Sequence, residues 1–396
     1  MVLSSEQALL DAIYASPDDD APRQVFADAL TERGDPRGEF ITLQLARARG
    51  EATPAQIMRE RDLFADPSRH NEWGHPLGES GRCVFARGFP ETLQPRRGRR
   101  DELLHQPAMR LLRGIDFLFA ELPVALAKAI LLQPSAARLE SVFGISRDLL
   151  ESLDAPLKWP SLAIRFDPTS AHRAHLIHAR ALEIYPGMEP LRVDSLLGLQ
   201  RLERLTFVDA EPGALRHLTG LIELTSTSMH PLLHWSTELS ELPHLKRLDV
   251  EGEPVVGTEF DGLKIEKLLC IASVNLDVDR LLGSLPRLGE LELGCTSHAV
   301  ELSTVAKVLA ASRLGQLRSV TINSFHISNP TRVDATLEVD IWGQAQLAAQ
   351  AEVLALFPAN ALARIVARPV GRSGRPPPSL EPLRAVAKVP IELAWY

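Results

Sequence analysis

The sequence predicts an α/β solenoid, short parallel strands stacked side by side behind an α-helical N-terminal segment. Three observations lead there. Apolar residues recur at steps of three, three and two, and segments of helical periodicity lie between the copies. Aromatic residues make up only 5% of the 396 while hydrophobic residues reach 45%, so the core must be filled by branched aliphatic side chains in regular layers.

The clearest copies are Leu199-Leu202-Leu205-Phe207, Leu218-Leu221-Leu224, Leu242-Leu245-Leu248-Val250, Leu285-Leu288-Leu291-Leu293 and Leu314-Leu317-Val320-Ile322. Fainter ones are Met109-Leu112-Ile115-Phe117, Pro156-Trp159-Leu162-Ile164, Leu176-Ala179-Leu182-Ile184 and Ile265-Leu268. They start about 20 to 29 residues apart, the period of leucine-rich repeats. Each strand turns alternate side chains inward, and the following turn or helix returns the chain to lay the next strand beside it. Residues 301–309 read as such a return helix, with Leu302, Val305, Ala306 and Leu309 on one face, and Leu232 to Leu239 as a shorter one. The asparagine that usually closes each turn is missing: Ala210, Glu253, Thr296 and Phe325 stand at those positions. The expectation is therefore an irregular leucine-rich-repeat solenoid over 107–330. Degenerate repeats and a C-terminal cap follow over 331–396, including a strand at 335–342 and further copies at Leu362 with Ile365 and Leu383 with Val386. Arg368 to Pro382 reads as a Pro/Gly loop, with a polyproline ligand as the alternative.

The helical segment spans 1–50, and a connecting and capping region spans 51–106. Leu9, Leu10, Ile13 and Tyr14 follow Ser4 and Ser5 at helical spacing. A second helix follows Asp18-Asp19-Asp20, whose carboxylates suit the positive end of a helix dipole. In Gly34-Asp35-Pro36-Arg37-Gly38-Glu39-Phe40, Gly34 closes that helix, Asp35 caps a third and Pro36 occupies its first position. Gly38 is expected to allow close backbone packing, and Arg37 to pair with Glu32 or Asp28. No Lys-Ser/Thr follows to make this a phosphate loop, and the adjacent aspartates do not alternate as calcium ligands do.

Residues 17 to 46, with their Asp-Asp-x-x-Arg start and the Gly-Asp-Pro-Arg-Gly-Glu-Phe-Ile turn leading to Leu-Gln, resemble a repeat-companion domain. That domain stands at the N-terminus of leucine-rich-repeat-like proteins of myxobacteria and planctomycetes. Ala29 stands where the family usually has tryptophan, and Phe26 replaces a tyrosine. The likeness continues more loosely through Asn71 to Leu77 and Phe85 to Glu91. It implies repeats downstream and carries no activity.

The net charge of -8 argues against a nucleic-acid footprint, which needs clustered Lys and Arg. The basic run Arg96-Arg97-Gly98-Arg99-Arg100 reads as a solvated loop, with a polyanion site as the alternative. Three cysteines, Cys83, Cys270 and Cys295, are an odd number without metal spacing and point to a reducing compartment. No basic n-region or long apolar run opens the chain, so no membrane contact and a cytoplasmic location are expected.

No nucleophile elbow, dinucleotide fingerprint or kinase motif is present, and no cofactor is expected. His172, His175 and His178, spaced three apart, are the nearest thing to a metal site but have no acidic or cysteine partner close in sequence. What remains is a surface. Between the inward leucines, Glu183, Tyr185, Arg204, Arg247, Asp249, Glu251, Lys267, Glu290 and Glu292 should face the concave side, turning acidic towards Glu292. The expected function is a non-enzymatic scaffold binding a protein partner there, since a preformed surface needs little ordering on association. Two alternatives stay open: an immunity or regulatory protein inhibiting one toxin or enzyme, and a hydrolase or ligase centred on the three histidines. Oligomeric state is unread.

Overall fold

A computed structural model describes residues 4–96, 103, 105–118, 120, 122–185, 190–227, 236–250, 260–272, 276–330, 335–341, 346–357, 362–369 and 379–393. The chain packs as two units, Met1–Phe166 and Asp167–Gly371 with Arg375–Trp395.

The first unit opens with helices α1 (Ser4–Ala15), α2 (Ala21–Glu32) and α3 (Pro36–Ala48). The α2–α3 corner is built as its residues dictate. Gly34 takes φ +74°, the Asp35 carboxylate accepts the Arg37 N–H at 2.8 Å, and Pro36 begins α3. Gly38 lies against α2: a Cβ there would sit 2.5 Å from the Ala27 carbonyl and 2.7 Å from the Thr31 nitrogen. The triple aspartate does not act together. Asp19 accepts the Ala21 N–H at 2.9 Å, and Asp20 makes no side-chain cap. Asp18 instead takes Arg113 and Arg138, each at 2.6 Å, and although burial pulls its carboxyl up, these two arginines hold it low.

Three more helices, α4 (Pro54–Phe64), α5 (Pro67–Trp73) and α6 (Leu77–Ser80), gather Phe64, Trp73 and Phe40 into an aromatic cluster. They lead into an antiparallel hairpin, β1 (Gly81–Ala86) and β2 (Phe89–Pro95), turned at Arg87 and Gly88, both at positive φ. Strands β3 (Gly114–Asp116), β4 (Ser141–Ile145) and β5 (Ser161–Ile164) then continue from β2 in parallel, with α7 (Val124–Leu132) and α8 (Arg147–Glu151) between them. Phe26, Leu30, Ile41, Leu45 and Phe89 form the core beneath the helices.

In the second unit β6 (Ala181–Ile184), β7 (Arg204–Phe207), β8 (Glu223–Ser226), β9 (Arg247–Val250), β10 (Lys267–Ala272), β11 (Glu290–Cys295) and β12 (Ser319–Ile322) pair in parallel, each with the next. Leu182, Leu205, Leu224, Leu248, Leu268, Leu291 and Val320 stand at one register level and are all buried. This is the predicted leucine ladder. The chain returns through α9 (Arg173–Leu176), α10 (Val193–Leu196), α11 (Ser236–Ser240), α12 (Val278–Ser284) and α13 (His298–Ala310). Residues 232–235 of the expected Leu232 to Leu239 helix lie outside the described residues. In α13 the buried face is Glu301, Thr304, Val305 and Val308; Ala306, expected inside, is exposed.

Beyond β12 the pairing reverses. Strand β13 (Phe325–Ser328) folds back antiparallel across the Asn323-Ser324 turn, β14 (Thr336–Ile341) is antiparallel to it, and β15 (Arg364–Pro369) and β16 (Ile391–Leu393) are parallel again. Helices α14 (Leu347–Ala355) and α15 (Glu381–Val386) fill the gaps. Leu383 and Val386 thus belong to a helix rather than a repeat strand. Likewise Arg368 and Pro369 end β15 and Glu381 and Pro382 begin α15, so only the middle of the expected Arg368 to Pro382 loop is left; its residues 370–378 lie outside the described ones.

The turns are closed without an asparagine ladder. The buried Glu238 carboxylate accepts the N–H groups of Gly213 and, at 3.1 Å, Leu215 from the preceding repeat. At one turn an asparagine does serve: Asn323 Oδ1 accepts the Cys295 N–H at 2.7 Å while Nδ2 donates to Glu301 at 3.0 Å. Glu253, one of the four positions where the ladder asparagine was expected, lies outside the described residues.

Candidate partner-binding face

Parallel register sets the side chains between the leucines into two rows. The first runs Ala181, Arg204, Glu223, Arg247, Lys267, Glu290, Ser319, and the second Glu183, Thr206, Thr225, Asp249, Leu269, Glu292, Thr321. Neighbours along a row are therefore one strand spacing apart, about 4.8 Å. The structure brings together every named residue of the predicted face that it describes; Glu251 lies outside the described residues. Tyr185, just past β6, is exposed and donates its hydroxyl to Glu183 at 2.9 Å.

The electrostatics differ from a simple acidic drift. Arg247 places Nε 3.0 Å from both Asp249 oxygens and Nη2 2.7 Å from Oδ2, and Asp249 is buried beneath it. Hydrogen bonding to Asp249 raises the Arg247 pKa further against a smaller opposing effect of burial. Glu290 is shared by Lys267 and Arg318, each at 3.5 Å. Two of the three acidic positions described at that end are thus neutralised locally. Exposed Arg204 and partly exposed Glu292 keep charge to offer, with Thr206, Thr225 and Leu269 as a neutral strip in the second row.

Sequence reasoning passed over Leu269 and Ile271, partly exposed apolar residues on β10. Their step of two from Lys267 carries the signal. It also missed the extension onto the reversed strands, where His326 lies opposite Thr321 and Glu338 and its Nδ1 stands 2.8 Å from the Thr321 hydroxyl. Beside it Arg368 bridges Glu338 and Asp340, at 2.7 Å each.

The three histidines are not placed to hold a metal ion. His172 is buried, its Nδ1 accepting the Thr169 N–H at 3.0 Å, and α9 is a single turn. Among the described residues no group of three or more His, Cys, Asp or Glu is placed to hold a metal ion. Burial pushes the thiols of Cys83 and Cys270 up to about 12 and that of Cys295 to about 11, so none is held as a thiolate near neutral pH. Arg96 donates its N–H to the Ser80 carbonyl at 2.9 Å, while Arg97 to Arg100 lie outside the described residues. Among the described residues no helix is long and apolar enough to cross a membrane.

No protein-family model and no curated protein matches the chain. Among solved structures it is similar to a chain of the Toll–Spatzle complex of Drosophila, at 14% identity and a TM-score of 0.38, over 52% of this chain and 32% of that one. It is also similar to an internalin (inlF) of Listeria monocytogenes str. 4b F2365, at 13% identity and a TM-score of 0.33, over 72% of this chain and 81% of that one. The chain thus spans about a third of the first of these chains.

Proposed function

We propose that the protein is a non-enzymatic scaffold that binds a protein partner through the outward rows of β6–β12. The observation that carries this reading is the register itself: seven parallel strands set fourteen positions in two rows, and all but Ala181 and Asp249 are exposed or partly exposed. A rigid face of that extent loses little entropy when a partner docks. Four of its eight charges are paired within the face, Arg247 with Asp249 and Lys267 with Glu290, so the partner is held by shape and by the neutral positions Thr206, Thr225 and Leu269, with Arg204 and Glu292 setting orientation.

We read the N-terminal helices as a repeat-companion segment. Two stretches that carry the resemblance meet there: the Gln44 side-chain Oε1 accepts the Gly88 N–H at 2.7 Å, and a Cβ on Gly88 would run into Ile41. Both contacts are structural, in keeping with a segment that caps the repeats.

The test is capture from native lysate with the full chain and with the double variant Arg204→Glu, Glu292→Lys. Proteins enriched by the wild type and lost with the variant support the reading. Identical captured sets would overturn it.

A further inference from the structure

Arg37 is not paired with Glu32 or Asp28. Its guanidinium carbon lies 5.6 Å from the centroid of the Phe26 ring and 5.3 Å from that of Phe89, and Arg23 covers Phe89 at 4.9 Å. Arg23 spends its fork on protein carbonyls, those of Pro17 at 2.8 Å and Arg87 at 3.2 Å. For Arg37 no such carbonyl contact is seen among the described residues, and its Nε is enclosed without a hydrogen-bond partner. Two of the acids near it are engaged in other contacts. Glu6 takes Arg33 at 2.9 Å, and Asp35 takes the Arg37 backbone N–H.

A guanidinium lying over two rings is held in one orientation by its attraction to their faces. A crowded fork without acceptors forfeits its hydrogen bonds unless something supplies them. Its Nε is buried, yet Arg37 as a residue is only partly buried. We infer that the Arg37 fork is a binding site for a single carboxylate, such as an acidic side chain, entering from that side. Two parallel N–H donors match a carboxylate's two oxygens. Burial lowers the Arg37 pKa, and the negative potential of Tyr14, Asp35, Glu6 and Glu72 only partly restores it. The same potential disfavours a doubly charged phosphate.

The site belongs to the first unit and the strand face to the second, so its failure leaves that reading intact. The test is NMR of the full 15N-labelled chain, following the Arg37 Nε–H resonance, which its proximity to the Phe26 and Phe89 rings identifies in the wild type. Titration with N-acetyl-glutamate α-amide should move this resonance saturably, inorganic phosphate should bind at least about tenfold more weakly, and Arg37→Lys should weaken carboxylate binding about tenfold. A resonance that stays still or drifts without saturation overturns the inference in the wild type alone. Phosphate binding as tightly as the carboxylate, or a folded Arg37→Lys chain binding as wild type does, overturns it as well.

Discussion

The Arg247 guanidinium lies along the Asp249 carboxylate two residues on in the same strand, Nε 3.0 Å from both oxygens and Nη2 2.7 Å from one. The pair makes Asp249 a brace within the face rather than a contact offered to a partner. Asp249→Ala should cost about 1–3 kcal/mol in urea unfolding, because a charge-assisted bond is lost and Arg247 is left without its acceptor. A cost near zero would return Asp249 to the binding residues.

Gly38→Ala should destabilise the protein by about 1–3 kcal/mol despite the better helix propensity of alanine. The added methyl meets the Ala27 carbonyl and the Thr31 backbone, neither of which can swing aside. Thermal unfolding of the variant reads this, and an unchanged or raised midpoint would show that the two helices separate freely.

Glu238→Gln should cost about 1–3 kcal/mol, since the amide sets an NH2 donor where one of the two carboxylate oxygens accepts the N–H groups of Gly213 and Leu215. Hydrogen exchange at those two amides should rise in the variant while exchange in β14 stays as it was.

His298 supplies a pH dependence. Its Nε2 stands 3.1 Å from Glu352 on α14 and its Nδ1 3.3 Å from Glu301 on α13, so both contacts are hydrogen bonds only when both nitrogens carry protons. Hydrogen bonding to Glu352 raises its pKa above the ordinary 6.5 against an opposing effect of burial, and Glu301 adds to the rise. The bridge is therefore complete below pH 6.5 and lost as pH rises through the raised value. Unfolding midpoints should fall across that window in the wild type by more than in His298→Asn, and parallel profiles would contradict the assignment.

What the sequence revealed and concealed follows from distance along the chain. Gly34, Asp35 and Pro36 were readable because a helix stop, a cap and a first turn are decided within a few residues. The leucine steps were readable because a strand's period of two is local. Arg37 was not, because its partners are rings on another helix and on a distant hairpin, and nothing near Arg37 signals them. Strand β4 was passed over because Gly144, at φ +77°, stands where its neighbours carry an apolar side chain, although Ala136, Leu139 and Val142 keep the steps of three. The reversal at β13 hides for a similar reason, since Asn323 adopts the left-handed φ of 46° that a tight hairpin needs and so takes the place of another repeat turn. On the candidate face the positions were legible from alternation, whereas their charge was misjudged, because Arg318 reaches Glu290 from the neighbouring strand's approach.

The most direct measurement of the central claim is site-specific photo-crosslinking in native lysate, with the reactive side chain placed at Thr225 in the neutral strip and, separately, at exposed Ala306 on α13. If the strand face binds the partner, the protein captured by the wild-type chain crosslinks at Thr225 and not at Ala306. Crosslinking of that protein at Ala306 with none at Thr225 would contradict the account.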